Sequence, residues 1–457
     1  MKKTVCAVIV LAFSLVPLAL YLASQEPAQA EDALTVQARA FLAAMQKGDF
    51  QLAARDFDET MLKVSGPDKL ELLWMKQLPA QLGKFKKQGA SRREELQGYQ
   101  IVLITCEFEK ATLDARVAFD KAGKIAGFGF VPTAPPAKYG PPAYADASKF
   151  TEADATVGTG EWALPGTLTM PKGPGPFPAV VLVHGSGPND RDETLGPNKP
   201  FKDLAWGLAT RGIAVLRYDK RSKVYGKKIL SDPKLEATMT VKEETIDDGL
   251  AAAALLEKTK GIDPKRIYIL GHSQGGYLMP RIALAAKSLK VAGFISIAGL
   301  ASPLDDTILR QMTYLYGLAG ANASEEDKKK LDGIKADVAK IKALTDADKG
   351  STAKIIGAMP TYWLDLRGYD PPEMAKSVKK PMLILQGGRD YQVTEKDFEN
   401  WKKALGGRKD VEFHLYPKLN HLFYEGEGSI TPLEYLQKHG SVAPYVVDDI
   451  ANWITKH

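Results

Sequence analysis

One stretch of the chain, Arg266-Ile-Tyr-Ile-Leu-Gly-His-Ser-Gln-Gly-Gly276, decides the fold. Its first five residues predict a buried strand, and the residues from Tyr277 onward favour a helix. Between them lies G-x-S-x-G, a pattern that places a serine on a sharp turn between a strand and a helix. Glycine is expected on either side of that turn because side chains there would collide with the neighbouring strand and helix. The stretch therefore predicts Ser273 as an outward-pointing nucleophile.

The chain around this turn alternates apolar strands with amphipathic helices. Uninterrupted runs of apolar residues predict strands at 179–183, 213–216, 267–270, 293–297, 381–385 and 411–415. Helical periodicity predicts helices at 201–210, 240–258 and 446–454. Strands that lack polar alternation are buried on both faces, so the pattern predicts an α/β fold: a mostly parallel sheet with helices on both faces.

Residues 302–375 interrupt this alternation. No strand is predicted there, and an apolar stripe recurs at helical spacing through Leu331, Ile334, Val338, Ile341 and Leu344. Lys and Asp occupy the opposite face. We therefore expect a helical insertion that covers the sheet as a lid.

The N-terminus predicts export. Two lysines precede a long apolar run, and Ala28-Gln-Ala30 has the pattern of a cleavage site, so residues 1–30 are predicted to be a signal peptide. The apolar run is long for that role, and an uncleaved membrane anchor is the alternative. The expected location is periplasmic or extracellular, with a membrane contacted only through this segment if it is not cleaved.

A small domain is predicted before the α/β part. Residues 31–133 favour helices followed by three strands, which is typical of an α+β domain. Prolines are concentrated between 132 and 142, and this composition predicts a stiff linker at 134–149. A larger domain is then expected from 150 to 457.

Composition narrows the possible partners and cofactors. Hydrophobic residues make up 45% of the chain, enough for a sizeable core, and the formal net charge is only +6. No basic block with interleaved aromatic residues exists, so nucleic acid is not an expected partner. The sequence lacks H-E-x-x-H, a metal-spaced Cys/His cluster and G-x-G-x-x-G, so no metal and no other cofactor is predicted. Cys106, in a predicted strand, is expected to be a small buried residue rather than a nucleophile.

A reactive serine needs an acid downstream in the sequence. Its hydroxyl requires an adjacent base, and the base requires an orienting acid, which follow the G-x-S-x-G serine in the order acid, then histidine. The strand at 381–385 is followed by Gly387-Gly-Arg-Asp390, which places Asp390 at the carboxyl edge of the sheet. Glu395 and Asp397 have the placement of charges at a helix N-terminus. Asp390 is therefore the predicted acid.

The base is found by elimination among the histidines that follow Asp390. His421 lies in a loop after the last predicted strand and before the final helix. His414 lies within that strand, His439 lies in a late loop stretch, and His457 is the last residue. We predict His421 as the base, with His439 as the alternative.

Backbone N–H groups are expected to bind the oxyanion that forms during acyl transfer. One should belong to Gln274, directly after the nucleophile. The other should come from the loop His184-Gly-Ser-Gly-Pro188, whose glycines permit close approach of the backbone. Ser186 is the predicted donor in this loop, with Gly187 as the alternative.

Five segments together carry a family resemblance: His184-Gly-Ser-Gly-Pro188, Arg217-Tyr-Asp-Lys-Arg221, Gly271-His-Ser-Gln-Gly-Gly276, Gly387-Gly-Arg-Asp390 and Asn420-His421. They resemble the α/β-hydrolase superfamily, and within it the secreted bacterial EstD-like carboxylesterases that carry a small cystatin-like N-terminal domain. The resemblance implies an α/β-hydrolase fold over 150–457.

The resemblance also implies an activity. It implies a serine esterase that acts on small-molecule acyl esters through an acyl-enzyme, with Ser273, Asp390 and His421 as its catalytic triad. Relatives often have D-x-R-G after the second strand, whereas Ser222 stands here in place of that glycine. The wall of the pocket is therefore expected to differ locally.

Three functions follow from these observations. A serine carboxylic-ester hydrolase is the main hypothesis. A serine aminopeptidase or amidase would use the same three residues on another substrate. In a third hypothesis, the N-terminal domain binds a component of the cell envelope and is the functional part.

Overall fold

The computed structural model describes residues 32–96, 99–109, 111–132, 139–318, 325–428, 430–431, 434–435 and 439–457. The predicted signal peptide at 1–30 and residues 134–138 of the predicted linker lie outside the described residues. The chain divides into two compact units at the boundary between residues 138 and 139.

The first unit packs helices on an antiparallel sheet. Its helices are Ala33–Lys47, Phe50–Ala54, Glu59–Ser65, Pro67–Leu72 and Leu78–Leu82, the last preceded by a π-helical turn at Leu73–Gln77. Its strands are β1 (Phe85–Leu96), β2 (Tyr99–Phe108), β3 (Thr112–Phe119) and β4 (Ile125–Pro132), paired in that order. The predicted α+β content is confirmed.

Strand β1 was not predicted from the sequence. It is an edge strand, and most of its residues are polar or charged: Lys86-Lys-Gln-Gly-Ala-Ser-Arg-Arg-Glu-Glu95. Such residues protect a sheet edge from pairing with another chain, but they give no apolar alternation from which a strand could be predicted. Cys106, by contrast, lies where its sequence predicted, fully buried in β2. Burial raises the pKa of its thiol to about 12, so the side chain stays protonated.

The second unit is built on one eight-stranded sheet. The strands are β5 (Phe150–Val157), β6 (Leu164–Pro171), β7 (Phe177–Val183), β8 (Ala214–Tyr218), β9 (Ile262–His272), β10 (Val291–Ile297), β11 (Met382–Gly387) and β12 (Val411–Tyr416). They lie in the order β12-β11-β10-β9-β7-β8-β6-β5. All neighbours from β12 to β8 are parallel, and β6 is antiparallel to both β8 and β5, so β6 alone runs against the other strands. The predicted mostly parallel sheet is confirmed.

Helices cover both faces of this sheet. They are Pro200–Thr210, Arg221–Leu230, Pro233–Thr238, Asp247–Glu257, Gln274–Tyr277, Met279–Ala285, Leu304–Gly317, Glu325–Ala343, Pro360–Leu366, Pro371–Ala375, Glu395–Leu405 and Pro444–Lys456, with a π-helical turn at Lys242–Ile246. None of the helices in the described residues is long and apolar enough to cross a membrane.

Strand β9 shows why both faces are covered. Ile267 and Ile269 pack into the core on one face, and Tyr268 and Leu270 pack into the core on the other. Because successive side chains of a strand point to opposite faces, an unbroken apolar run requires a packed layer on each side. This arrangement leaves only the strand ends available for polar chemistry.

The segment 302–375 is helical, as predicted. Its apolar stripe lies on the helix Glu325–Ala343, where Val338 is buried and the lysines at 328–330 are exposed. The short helices Pro360–Leu366 and Pro371–Ala375 follow it.

Candidate active site

Ser273 occupies a strained turn at the carboxyl end of β9. Its φ and ψ are 51° and −111°, a conformation that costs a non-glycine residue of the order of 1–3 kcal/mol and that is retained only where the surroundings impose it. A Cβ on Gly271 would lie 2.3 Å from the carbonyl of Gly275, and one on Gly275 would lie 2.4 Å from the carbonyl oxygen of Val183. The glycines on either side of the turn are therefore a steric requirement, as the sequence predicted.

Asp390 lies in the loop after β11, with its two carboxylate oxygens used differently. Oδ1 accepts hydrogen bonds from the backbone N–H groups of Gln392 and Val393 at 2.8 and 2.9 Å. Oδ2 lies 2.6 Å from Nδ1 of His421. The backbone bonds fix the carboxylate, so that one oxygen is presented to the imidazole.

His421 lies in a tight turn after β12. The side-chain oxygen of Asn420 accepts from the N–H groups of Leu422 and Tyr424, which closes the turn around the histidine. The side chains of His421 and Asp390 are both buried. Since a carboxylate only accepts hydrogen bonds, the short contact places a proton on Nδ1 of His421 and leaves Nε2 as the basic nitrogen.

The loop of His421 adjoins the turn of Ser273 through His272. The ring Nε2 of His272 lies 3.0 Å from the backbone oxygen of His421, and the two imidazole rings are 4.7 Å apart between centroids. No hydrogen bond joins Ser273 to His421 in the described part of the chain. Catalytic hydrogen bonds are often long before substrate binds, so the lack of this bond is compatible with a nucleophile and its base.

The other histidines after Asp390 lie elsewhere. Nδ1 of His414 is 3.2 Å from Asp449, and Nε2 of His439 accepts from the backbone N–H of Gly140. His457 stacks on Trp453 at the end of the last helix. His421 is thus the one of the four that the fold brings to Asp390.

The loop predicted to hold the oxyanion approaches the serine closely. A Cβ on Gly185 would lie 3.1 Å from the Cβ of Ser273, so the backbone of this loop passes directly beside the nucleophile. Ser186, next in the loop, is exposed, and Gln274 is the first residue of the helix Gln274–Tyr277. A first-turn N–H has no acceptor within its own helix, which leaves that of Gln274 available.

A buried ion pair, not predicted from the sequence, supports this loop. Oε1 of Glu193 accepts from the N–H of Gly185 at 2.6 Å, and Oε2 lies 2.7 Å from Nδ1 of His272 without the alignment of a full hydrogen bond. Burial lowers the pKa of His272, but the Glu193 carboxylate more than compensates, so the pKa is raised. The imidazole also faces two acceptors, Glu193 and the carbonyl of His421, which is the pattern of a doubly protonated ring.

Arg217 and Asp219, in the segment Arg217-Tyr-Asp-Lys-Arg221, anchor the same loop. Asp219 forms a bidentate pair with Arg191 at 2.9 and 3.1 Å, and Arg217 pairs with Asp192. Arg221 turns away to pair with Asp248. The run of charges Asp190-Arg-Asp-Glu193 could have indicated these ion pairs from the sequence, because charged residues beside a buried strand end need buried partners.

The helices of 302–375 contact both sides of the site. Oη of Tyr362 accepts from Nε2 of Gln274 at 2.6 Å, and the side-chain amide of Gln311 donates to the backbone oxygen of Gln392 at 3.0 Å. Tyr314 stacks on Tyr391 with centroids 5.1 Å apart, directly after Asp390. These contacts were not predicted, because they depend on how the inserted helices fold back.

The described residues include no group of three or more His, Cys, Asp or Glu side chains that could hold a metal ion. That the protein uses no cofactor remains a prediction from the sequence.

Comparison with known proteins assigns the family. Residues 176–427 match the family model described as serine aminopeptidase, S33. Over 439 residues the chain is 41% identical to Esterase EstD of Thermotoga maritima, an alignment that covers 93% of this chain and 100% of that protein. The chain belongs to the α/β-hydrolase family that the serine aminopeptidase S33 model describes. The predicted fold class and the predicted resemblance to EstD-like proteins are confirmed.

Comparison of this α/β hydrolase with known proteins also gives a match for its N-terminal unit and two matches of lower sequence identity. Residues 38–128 match a domain family described as a protein of unknown function (DUF3887). Dipeptidyl peptidase family member 6 of Caenorhabditis elegans is 24% identical over 59% of this chain and 31% of its own length. Est1E from Butyrivibrio proteoclasticus is a solved structure with a TM-score of 0.41 and 16% identity, covering 66% of this chain and 99% of that one.

Proposed function

We propose that the chain is a serine carboxylic-ester hydrolase that forms an acyl-enzyme on Ser273. The observation that carries the proposal is the 2.6 Å contact between His421 and Asp390 on loops beside the strained serine turn. The identity of 41% to Esterase EstD over nearly the whole chain supports an ester as the substrate.

In the first half-reaction, Oγ of Ser273 attacks the ester carbonyl. Nε2 of His421 takes the hydroxyl proton and then gives it to the departing alcohol. Asp390 holds the imidazole in the tautomer that leaves Nε2 basic, and it stabilises the imidazolium that forms. A water molecule then repeats the attack on the acyl-enzyme, with His421 again as base, and the carboxylic acid leaves.

The negative charge of the tetrahedral intermediate falls between two backbone segments. The N–H of Gln274 lies at the start of its helix, and the N–H of Ser186 lies one residue beyond the close approach at Gly185. A donor of this kind contributes about 2.7–4 kcal/mol to the transition state. The oxyanion site is thus assigned to Ser186 and Gln274, with Gly187 as the alternative in the loop.

Three further properties belong to this proposal. The helices of 302–375 act as a lid, supported by the contact of Tyr362 with Gln274. The protein is exported through residues 1–30, supported by the signal-like sequence. The reaction is assigned to the unit from residue 139 onward, which contains Ser273, Asp390 and His421.

An aminopeptidase or amidase reaction is the second candidate, supported by the description of the family that the chain matches. The two are separated by comparing the hydrolysis of p-nitrophenyl acetate with that of an amino-acyl p-nitroanilide. Faster cleavage of the anilide would favour the second candidate.

The test of the proposed function is labelling with a fluorophosphonate probe, which reacts with activated serines. The protein should be labelled once and should hydrolyse p-nitrophenyl acetate, and both activities should be lost in Ser273→Ala. The matched control is Ser296→Ala, since Ser296 is fully buried in β10. A folded protein that is not labelled, or labelling that survives in Ser273→Ala, would contradict the proposal.

A further inference from the structure

Lys220 is a buried ammonium beside the serine, and neither the sequence motif nor the reaction steps above assign it a role. The residue is 1% exposed. Its Nζ donates to the backbone oxygen of Gly185 at 2.8 Å and to Oε1 of Gln274 at 3.0 Å. One cation thus contacts both segments that supply the proposed oxyanion donors.

The contact with Gly185 orients a specific peptide group. The carbonyl of Gly185 and the N–H of Ser186 belong to the same planar trans peptide, so they point in opposite directions. When Lys220 holds the carbonyl, the direction of the Ser186 N–H is set. A charged donor also polarises the peptide and strengthens its N–H as a donor.

The N–H of Gly185 is held as well, by Glu193 at 2.6 Å. Opposite charges therefore hold the two polar groups of Gly185, the carboxylate at the N–H and the ammonium at the carbonyl. The backbone beside Ser273 consequently has little freedom to rotate, which is what a preorganised oxyanion site requires.

Lys220 also belongs to a ring of four side chains. Its Nζ lies 3.3 Å from Oε1 of Glu244, and Oη of Tyr362 lies 3.5 Å from Oε2 of the same carboxylate. Tyr362 in turn accepts from Gln274 at 2.6 Å, and Gln274 accepts from Lys220. The ring gives the buried cation a counter-ion and connects the inserted helices to the residue after the nucleophile.

We propose that Lys220 is the positioning residue of the oxyanion site, an inference that rests on the proposed function. Its ammonium aligns the Gly185–Ser186 peptide and the Gln274 side chain, and it places a positive charge in contact with both segments that carry the donors. Because the oxyanion exists only in the tetrahedral intermediate and the adjoining transition states, Lys220 acts on kcat rather than on binding of the neutral ester.

The test replaces the charge while keeping the shape. Lys220→Met should lower kcat for p-nitrophenyl acetate by about 10²-fold, the lower end of the effect of one oxyanion donor, with KM within about threefold of the wild-type value. Binding of phenylboronic acid, which becomes an anionic tetrahedral adduct on the serine, should weaken by a similar factor. Lys220→Arg should restore part of the loss, since it retains a buried cation.

Removing Lys220 alone leaves Glu244 without its counter-ion, and this could unfold the protein. The double variant Lys220→Met/Glu244→Gln removes both charges and should be folded with the same loss of kcat. The matched control is Arg221→Met/Asp248→Asn, which removes the neighbouring buried ion pair and should keep kcat near the wild-type value.

Two results would overturn the inference while the proposed function stands. One is a folded double variant with kcat within about threefold of an active wild type. The other is a Lys220→Met variant in which KM rises and kcat is unchanged. Wild-type protein that neither hydrolyses the ester nor reacts with the fluorophosphonate would instead overturn the proposed function, and the inference with it.

Discussion

On one side of Ser273, the acid and the base lie on two loops that the backbone itself shapes, since Asp390 accepts two backbone N–H groups and Asn420 closes the turn around His421. On the other side, the loop from Gly185 to Glu193 is held by buried charges. Glu193 binds the N–H of Gly185 and Lys220 binds its carbonyl, and each of the two has a partner of opposite charge. The first side places side chains for proton transfer. The second places backbone groups for charge stabilisation, and a backbone group can be oriented only by what binds it.

The largest expected effect is on the acid–base side, in Asp390→Asn. The amide oxygen can still accept from Gln392 and Val393, so the loop should keep its shape. The amide nitrogen then faces Nδ1 of His421 and favours the tautomer in which Nε2 is protonated and cannot act as a base. We expect kcat to fall by about 10⁴-fold, equivalent to about 5.5 kcal/mol.

Steady-state hydrolysis of p-nitrophenyl acetate measures this loss. The control is Asp397→Asn, a buried carboxylate of the following helix that pairs with Arg310 and has no contact with His421. An Asp390→Asn variant that keeps more than a tenth of wild-type kcat would show that Asp390 does not orient the base.

The two sides also differ in how far the sequence could predict them. Ser273, Asp390 and His421 each follow a strand that is recognisable from its apolar run, so their positions could be inferred from chain order and elimination. Lys220, Glu193 and Tyr362 could not be inferred in this way. Their roles depend on distances between segments 35 to 118 positions apart, such as Gly185 to Lys220 or Tyr362 to Glu244. Edge strand β1 escaped prediction for a different reason, because its polar sequence carries no apolar pattern.

Asp203 connects the two sides and gives the next largest effect, on stability rather than on turnover. It lies on the helix that follows the oxyanion loop and accepts from the hydroxyls of Tyr139 and Tyr424, the latter in the turn of His421. Burial raises the pKa of Asp203 to about 7, although the hydroxyl hydrogen bonds lower it.

The sign of the pH effect follows from this pKa. Between pH 3.8, the ordinary value, and about pH 7, the folded protein holds a proton that the unfolded chain has lost, so the free energy of unfolding falls as pH rises. Asp203→Asn cannot ionise and should not show this fall. From pH 4 to pH 8 the variant should gain stability relative to wild type by up to about 4 kcal/mol.

Denaturant unfolding of both proteins at several pH values measures the difference. Asp410→Asn is the control of opposite sign, since hydrogen bonds from Arg408 lower the pKa of Asp410, and its loss should cost stability as pH rises. A constant difference between Asp203→Asn and wild type from pH 4 to pH 8 would contradict the buried, protonated state of Asp203.

The smallest of these effects tests whether charge or hydrogen-bond pattern holds the oxyanion side. Glu193→Ala removes the acceptor of the Gly185 N–H and should lower kcat by about 10²-fold, or about 2.7 kcal/mol, through a misplaced oxyanion loop. In Glu193→Gln, the amide oxygen can accept from Gly185 while the amide nitrogen donates to Nδ1 of a neutral His272. His272 then still donates from Nε2 to the carbonyl of His421, so kcat should stay within about tenfold of wild type.

Comparison of kcat between Glu193→Ala and Glu193→Gln decides whether charge or hydrogen-bond pattern holds the oxyanion side. The control is Glu152→Ala, because Glu152 pairs with Arg217 and does not contact Gly185 or His272. If Glu193→Gln is as impaired as Glu193→Ala while both remain folded, the negative charge itself is required, and the oxyanion loop depends on the ion pair with His272. If both variants keep wild-type kcat, Lys220 alone is sufficient to hold the Gly185 peptide. If instead only Glu193→Ala loses about 10²-fold in kcat, as predicted, the buried charges serve chiefly to keep each donor matched with an acceptor. The backbone N–H groups around Asp390 and His421 achieve the same match.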